Sequence, residues 1–252
     1  MMVYNWQKPG RRSANPHGEA LFKRTNRTLP QDGFRLHAGP PRVFYLSLID
    51  FSEEFPVPAF NDYAHKTIET SFAQHEALLS RCLQELSPLI IDAGRAIRST
   101  LKQGGKVMFC GNGGSAADSQ HIAAEFVGHF MKERGPLNAI ALTTDTSILT
   151  AVGNDYSFND VFSRQVRGIS KPGDILVGIT TSGNSQNVIE AVQAAKKCGC
   201  KTIGLLGRDG GKLAPLCDIS FVVPSNETPR IQEMHILIGH ILCDLLEEEC
   251  ED

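Results

Sequence analysis

Five short apolar runs, each separated from the next by a stretch of helical periodicity, constrain this chain more than anything else in it. They are "KVMFCG" from Lys106, "NAIAL" from Asn138, "DILVGI" from Asp174, "KTIGLLG" from Lys201 and "DISFVV" from Asp218. A strand that must wait for a helix before meeting its neighbour pairs in parallel through a right-handed crossover, and the helices then cover both sheet faces. The alternation therefore predicts an α/β domain with a five-stranded parallel sheet in a three-layer, flavodoxin-like αβα arrangement. Ahead of the sheet, "NDYAHKTIETSFAQHEALLSRCLQEL" predicts one helix opened by an Asn-Asp cap, and "SPLIIDAGRAIRSTLKQGG" a second, from Ser87-Pro88 to Gly104-Gly105. A last helix is expected over about Thr228 to Glu249.

With 252 residues, 41% of them hydrophobic, the chain can bury one sizeable core. A formal charge of -3 gives no overall field for nucleic acid or membrane. The average hides a basic arm, where Lys8, Arg11, Arg12, Lys23, Arg24, Arg27, Arg35 and Arg42 face only Glu19 and Asp32. Residues 1–58, dense in Pro, Gly, Asn and Arg, bury too little to offset their ordering entropy, so a disordered arm is expected there and the folded domain over 59–252. Pro9, Pro16, Pro30, Pro40 and Pro41 argue against an amphipathic targeting or nucleic-acid-binding helix in the arm. Seven cysteines without a paired CxxC suit reduced thiols in a cytoplasm. No apolar run approaches the roughly 18 residues of a membrane span.

In an open parallel sheet, ligands bind beyond the carboxyl ends of the strands, where helix N-termini present unpaired N–H groups. Two such junctions here are polar and rich in small residues. "TTSGNSQNV" offers the hydroxyls of Thr180, Thr181, Ser182 and Ser185 around Gly183, which suits a phosphate group; an ordinary capped turn is the plainer alternative. "CGNGGSAADSQH" fails both the dinucleotide and the P-loop spacing. Its Gly113, Gly114 and Ser115 instead let backbone approach a ligand, and Asn112 can bond a sugar hydroxyl. His121 and Glu125 follow at i and i+4 on one helix face, a spacing that suits a metal pair, an acid–base pair or a solvated helix pair. In "RIQEMHILIGH", Arg230, Gln232, Glu233, His235 and His240 need partners on an apolar helix; His235 also reads as a core histidine and Glu233 as an ordinary ion-pair partner.

Together, "CGNGGSAADSQHIAAE", "AVGNDYSFNDVFSRQV", "TTSGNSQNV", "GRDGGKLA" and "RIQEMHILIGH" resemble the sugar isomerase (SIS) domain family over about Asn61 to Glu249. The resemblance implies an aldose–ketose isomerase acting on a heptose 7-phosphate. It would exchange sedoheptulose 7-phosphate and D-glycero-D-manno-heptose 7-phosphate at the first step towards nucleotide-activated heptose for lipopolysaccharide. It further implies that Asn112, Gly113, Gly114, Asn154, Asp155 and Gln232 contact the sugar and that Thr180, Thr181, Ser182 and Ser185 hold the phosphate. Glu125 would be the general base, also in contact with substrate, and His240 the general acid. One zinc ion per subunit is implied on His121, Glu125, Gln232 and His240, within a homotetramer whose sites form between subunits. Gln232 and His240 stand about 12 Å apart along a regular helix, which favours a ligand set shared between subunits. Two positions depart from the family pattern: His129 stands where Arg is expected and Pro229 where Asp is expected, which bears on the sugar contacts. The rival reading is a non-catalytic SIS protein that binds a phosphosugar or a replication-initiation partner; such a scaffold has no need of Glu125 and His240 together.

Overall fold

The computed structural model describes residues 57–247, so the basic arm expected over residues 1–58 lies almost wholly outside the described residues, as do residues 248–252. The strands are β1 (Val107–Gly111), β2 (Ala139–Ala141), β3 (Ile175–Thr180), β4 (Lys201–Gly207) and β5 (Ile219–Val223). They form one sheet of order β2-β1-β3-β4-β5, parallel throughout, with Val107 level with Ile175 and Ile175 with Lys201. Every residue of β3 is buried, which is why the central runs are continuously apolar instead of alternating.

The pleat still sorts side chains between two cores. Val107, Phe109, Val177, Leu205 and Phe221 face α1 (Val57–Lys102), α2 (Gly114–Val127) and α6 (Thr228–Glu247). Met108, Cys110, Leu176 and Leu206 face α4 (Val161–Ile169) and α5 (Gln186–Lys197). The helix α3 (Thr146–Asp155) connects β2 to this second layer, capped by Asp145, whose carboxylate accepts from the Ile148 N–H at 2.9 Å. The three-layer expectation holds.

One expectation fails. The two helices predicted ahead of the sheet are a single helix, α1, of 46 residues, with Pro88 in its interior and Asn61-Asp62 inside its exposed first turns instead of capping it. Pro88 removes one helix hydrogen bond, at a cost of about 3 kcal/mol. Leu78, Cys82 and Leu86 before it and Ala93 and Ile97 after it enter the same core. Burying residues such as Leu86 and Ile97 stabilises by about 1.5–3 kcal/mol each, so packing on both sides outweighs the proline. The Ser87 hydroxyl also donates to the Leu83 carbonyl in the turn where the ladder is interrupted.

Candidate active site

Beyond the carboxyl end of β3 the chain turns through Thr180 to Ser185 into α5. The Thr180 hydroxyl lies 2.9 Å from that of Ser185 and 3.4 Å from that of Ser182. Ser185 occupies the N-cap position of α5 yet makes no capping bond with its side chain, so this is not the ordinary capped turn of the plainer reading. Gly183 is left-handed (φ 66°), and a Cβ there would fall 2.0 Å from the Gly210 carbonyl oxygen. That contact explains the "GRDGGKLA" segment: the Leu213 N–H donates to the Gly183 carbonyl at 3.0 Å and the Lys212 N–H to the Asn184 side chain at 3.1 Å. The hydroxyl loop is thus braced from behind by the loop that follows β4.

At the neighbouring tip of β1, Asn112 and the buried Asn187 exchange two side-chain hydrogen bonds of 2.8 Å. Asn187 escaped the sequence reading, although it sits in the same quoted stretch. It fixes the amide of Asn112 and ties the β1 junction to the start of α5. Gly113 is left-handed (φ 57°) and opens α2. Gly114 keeps space for Gln232, whose side-chain nitrogen would lie 2.4 Å from a Cβ placed there.

About two turns of α2 further on, His121 Nε2 is 3.2 Å from Glu125 Oε1, the i and i+4 pairing read from the sequence. The His240 ring stands edge-on to that of His121, centroids 5.0 Å apart, and stacks on Phe130 at 5.2 Å. This crossing of α2 and α6 depends on Gly239, because a Cβ there would meet the Ile122 side chain at 2.5 Å. Glu125 is also felt by Cys243, whose thiol is pushed up to about 12, by burial first and then by the Glu125 charge. Asp118, one turn before His121, is pushed up by burial while the His121 charge pulls it back.

The structure therefore joins His121, Glu125 and His240 at one crossing, Asn112 with Asn187, Gly114 with Gln232, and Thr180, Ser182 and Ser185 in the cradle; Thr181 lies within that same loop. Asn154 and Asp155 bond to one another at 2.8 Å, exposed at the end of α3. Gln232 lies against Gly114, and among the described residues no group of three or more His, Cys, Asp or Glu side chains is arranged to hold an ion. His121, Glu125 and His240 thus form no preformed three-ligand metal group within one chain. His235 is a core histidine whose Nε2–H donates to the Leu206 carbonyl at 2.9 Å, and burial pushes it down to about 4. Glu233 pairs with Arg230 and, at 2.7 Å, with His75 of α1. Of the two departures, exposed His129 lies 3.9 Å from Glu133, and Pro229 sits in the first turn of α6, where a missing N–H breaks no helix bond.

Residues 72–207 match the model of the SIS domain. Over 181 residues the chain is 58% identical to the phosphoheptose isomerase of a Nitratiruptor species, spanning 72% of this chain and 97% of that one. The chain belongs to the phosphoheptose isomerase family of SIS domain proteins. Solved phosphoheptose isomerases agree. That from Neisseria gonorrhoeae is 46% identical with a TM-score of 0.70, over 73% of this chain and 98% of its own. That from Francisella tularensis is 41% identical with a TM-score of 0.72, over 74% and 99%. Of the five quoted motifs, "CGNGGSAADSQHIAAE", "TTSGNSQNV" and "GRDGGKLA" lead out of the carboxyl ends of β1, β3 and β4.

Proposed function

We propose that the chain interconverts sedoheptulose 7-phosphate and D-glycero-D-manno-heptose 7-phosphate by enediol proton transfer. The observation that carries this reading is a site with two chemically distinct ends. A hydroxyl-lined cradle stands at the tip of β3, a carboxylate and an imidazole stand at the α2–α6 crossing, and the Asn112–Asn187 pair bridges the two tips. The relatives named above carry the same activity in their names.

The phosphate docks in the cradle on Thr180, Thr181, Ser182 and Ser185, and its binding energy fixes the far, reacting carbons. Glu125 removes a proton from C1 of the ketose while His240 protonates the C2 oxygen, which gives the enediol. Glu125 then returns the proton to C2, and His240 takes back the one on the C1 oxygen as the aldehyde forms. Asn112, Gly113, Gly114, Asn154, Asp155 and Gln232 would hold the sugar hydroxyls between these ends. No step is routed through zinc. Metal analysis of the purified protein, with His121→Ala alongside, tests whether His121, Glu125, Gln232 and His240 take up an ion.

The reading includes a homotetramer in the cytoplasm. An apolar groove of about 330 Å³ runs between α1 and α6 past Leu79, Leu83, Ile91, Ile241 and Leu245, and Leu83 is 70% exposed. So wide an apolar strip suits another copy of the chain, and light scattering should give four times the 27.5 kDa of one chain. Among the described residues no helix is long and apolar enough to cross a membrane, and six cysteines are free thiols. The assay of the function follows aldose formation from sedoheptulose 7-phosphate. Glu125→Gln and His240→Asn should each lower kcat by ~10²-fold or more, the usual cost of removing a positioned acid or base. Undiminished turnover in either variant removes that residue from the scheme.

A further inference from the structure

We propose that Arg134 and Glu247 form a buried clamp that positions the His240 ring and the end of the helix carrying Glu125. This rests on the isomerase reading only in naming what the two positioned residues do. The side chains of Arg134 and Glu247 are 1% and 0% exposed, and Nε of Arg134 lies 3.3 Å from Oε1 of Glu247. Such a pair is costly to desolvate and is retained only where further hydrogen bonds complete it. Here they do.

The last carbonyls of a helix lack partners within it. At the end of α2 the guanidinium supplies them, with Nη2 donating to the Glu125 carbonyl at 2.7 Å and Nη1 to that of Phe126 at 2.9 Å. Nη1 also reaches the Gly128 and Gly135 carbonyls, at 3.2 and 3.0 Å. From α6, the Glu247 carboxylate accepts the N–H groups of Phe130, Met131 and Lys132 at 2.7 to 2.8 Å. Burial pushes that carboxyl up, but the three amides and Arg134 outweigh it and leave it below the usual range. The segment from Gly128 to Arg134 is therefore drawn between the two helices whose crossing makes the acid–base end of the site.

Glu247 follows His240 by seven residues, two turns on the same face of α6. The same N–H group that Glu247 holds belongs to Phe130, whose ring stacks on His240. One carboxylate thus fixes the backbone of the residue that packs the imidazole, while its partner cation caps the turn containing Glu125. A clamp serving only the fold would leave the His240 ring indifferent to Phe130 and Glu247.

Two variants separate these roles. Phe130→Leu keeps the ion pair and removes the stack; Glu247→Gln keeps an acceptor and removes the charge. Each should lower kcat about tenfold, within the range for a displaced catalytic group, and leave KM within about twofold. Because both act through one ring, the double variant should be no slower than the worse single variant. Independently of turnover, the His240 ring signal in NMR, assigned by its loss in His240→Asn, should carry a ring-current shift from Phe130 that disappears in Phe130→Leu and diminishes in Glu247→Gln. Should Glu247→Gln fail to fold, Phe130→Leu with Arg134→Lys carries the same comparison. A His240 signal unmoved in the variants, or kcat losses that multiply in the double variant, overturns the clamp's positioning role. A wild-type chain inactive on the heptose phosphate with the NMR shifts as described would instead count against the isomerase reading and leave the clamp standing.

Discussion

The two ends of the sheet are built from opposite chemistry. At the amino ends of the strands, carboxylates are saturated. Asp174 accepts the Lys106 ammonium at 2.5 Å, the Lys106 N–H at 2.9 Å and the Lys171 N–H at 2.7 Å. Asp218 accepts the N–H and hydroxyl of Thr202, both at 2.8 Å. At the carboxyl ends, Thr180, Ser182 and Ser185 bond chiefly to one another, over glycines that no side chain could replace. Saturated groups have no valence left for a ligand, whereas hydroxyls that satisfy each other can exchange those bonds for a phosphate at small cost. The difference teaches that one end holds the sheet together and the other was left available for chemistry.

The strongest way to break that contrast is Asp174→Ala. With Asp174 only 2% exposed, the change strands the Lys106 ammonium, and losing one partner of a buried pair costs about 3–5 kcal/mol. Denaturant unfolding should show that loss, while KM of the protein that remains folded is unchanged. A lower kcat or raised KM at full stability would place Asp174 with the site instead.

Next in size is the response to acid, which the two ends should give in separate windows. His235 is bonded at the carboxyl end of β4 and is neutral in the fold, since burial pushes it from the ordinary 6.5 to about 4. A base with a depressed folded pKa contributes stability that is full above 6.5 and is lost as pH falls from there to about 4. At pH 5.5 the loss is about 1.4 kcal/mol by linkage. For Asp174 and Asp218, burial pushes the carboxyls up, but the bonds from Lys106 and Thr202 outweigh it and leave both below 3.8. Their contribution is present above 3.8 and is lost only as pH falls below it. Unfolding followed from pH 7 to 3 should thus weaken in two steps, and His235→Gln should remove the first alone. A single step near the carboxylate range would separate His235 from acid stability.

How much of this was legible beforehand follows the same division. The sheet was readable because its central strands are buried on both faces and leave unbroken apolar runs. The i, i+4 pair His121–Glu125 was readable because a helix places such residues together by its own geometry. The single α1 was not: Pro88 is a strong local stop, and only contacts with residues far away in sequence, such as those in α6, keep the helix running. Gly239, Phe130 and Asn187 were hidden for a like reason, since each matters through a partner on another element.

The smallest expected effect probes the carboxyl end itself. Ser182→Ala removes one hydroxyl that lies 3.4 Å from Thr180 and accepts the Asn184 N–H at 3.2 Å. Neither partner is stranded in a dry core, because Asn184 is exposed and Thr180 keeps its 2.9 Å contact with Ser185, so stability should move by less than about 0.5 kcal/mol. On the proposed reading the phosphate, in contrast, would lose one donor, worth about 1 kcal/mol, which should raise KM for the phosphosugar roughly fivefold with kcat little changed. Steady-state kinetics on a phosphorylated and a dephosphorylated ketose heptose separates the outcomes. The variant should lose its disadvantage on the sugar that has no phosphate; an equal loss on both would move Ser182 from the phosphate to the sugar, and no loss on either would leave the cradle to its neighbours.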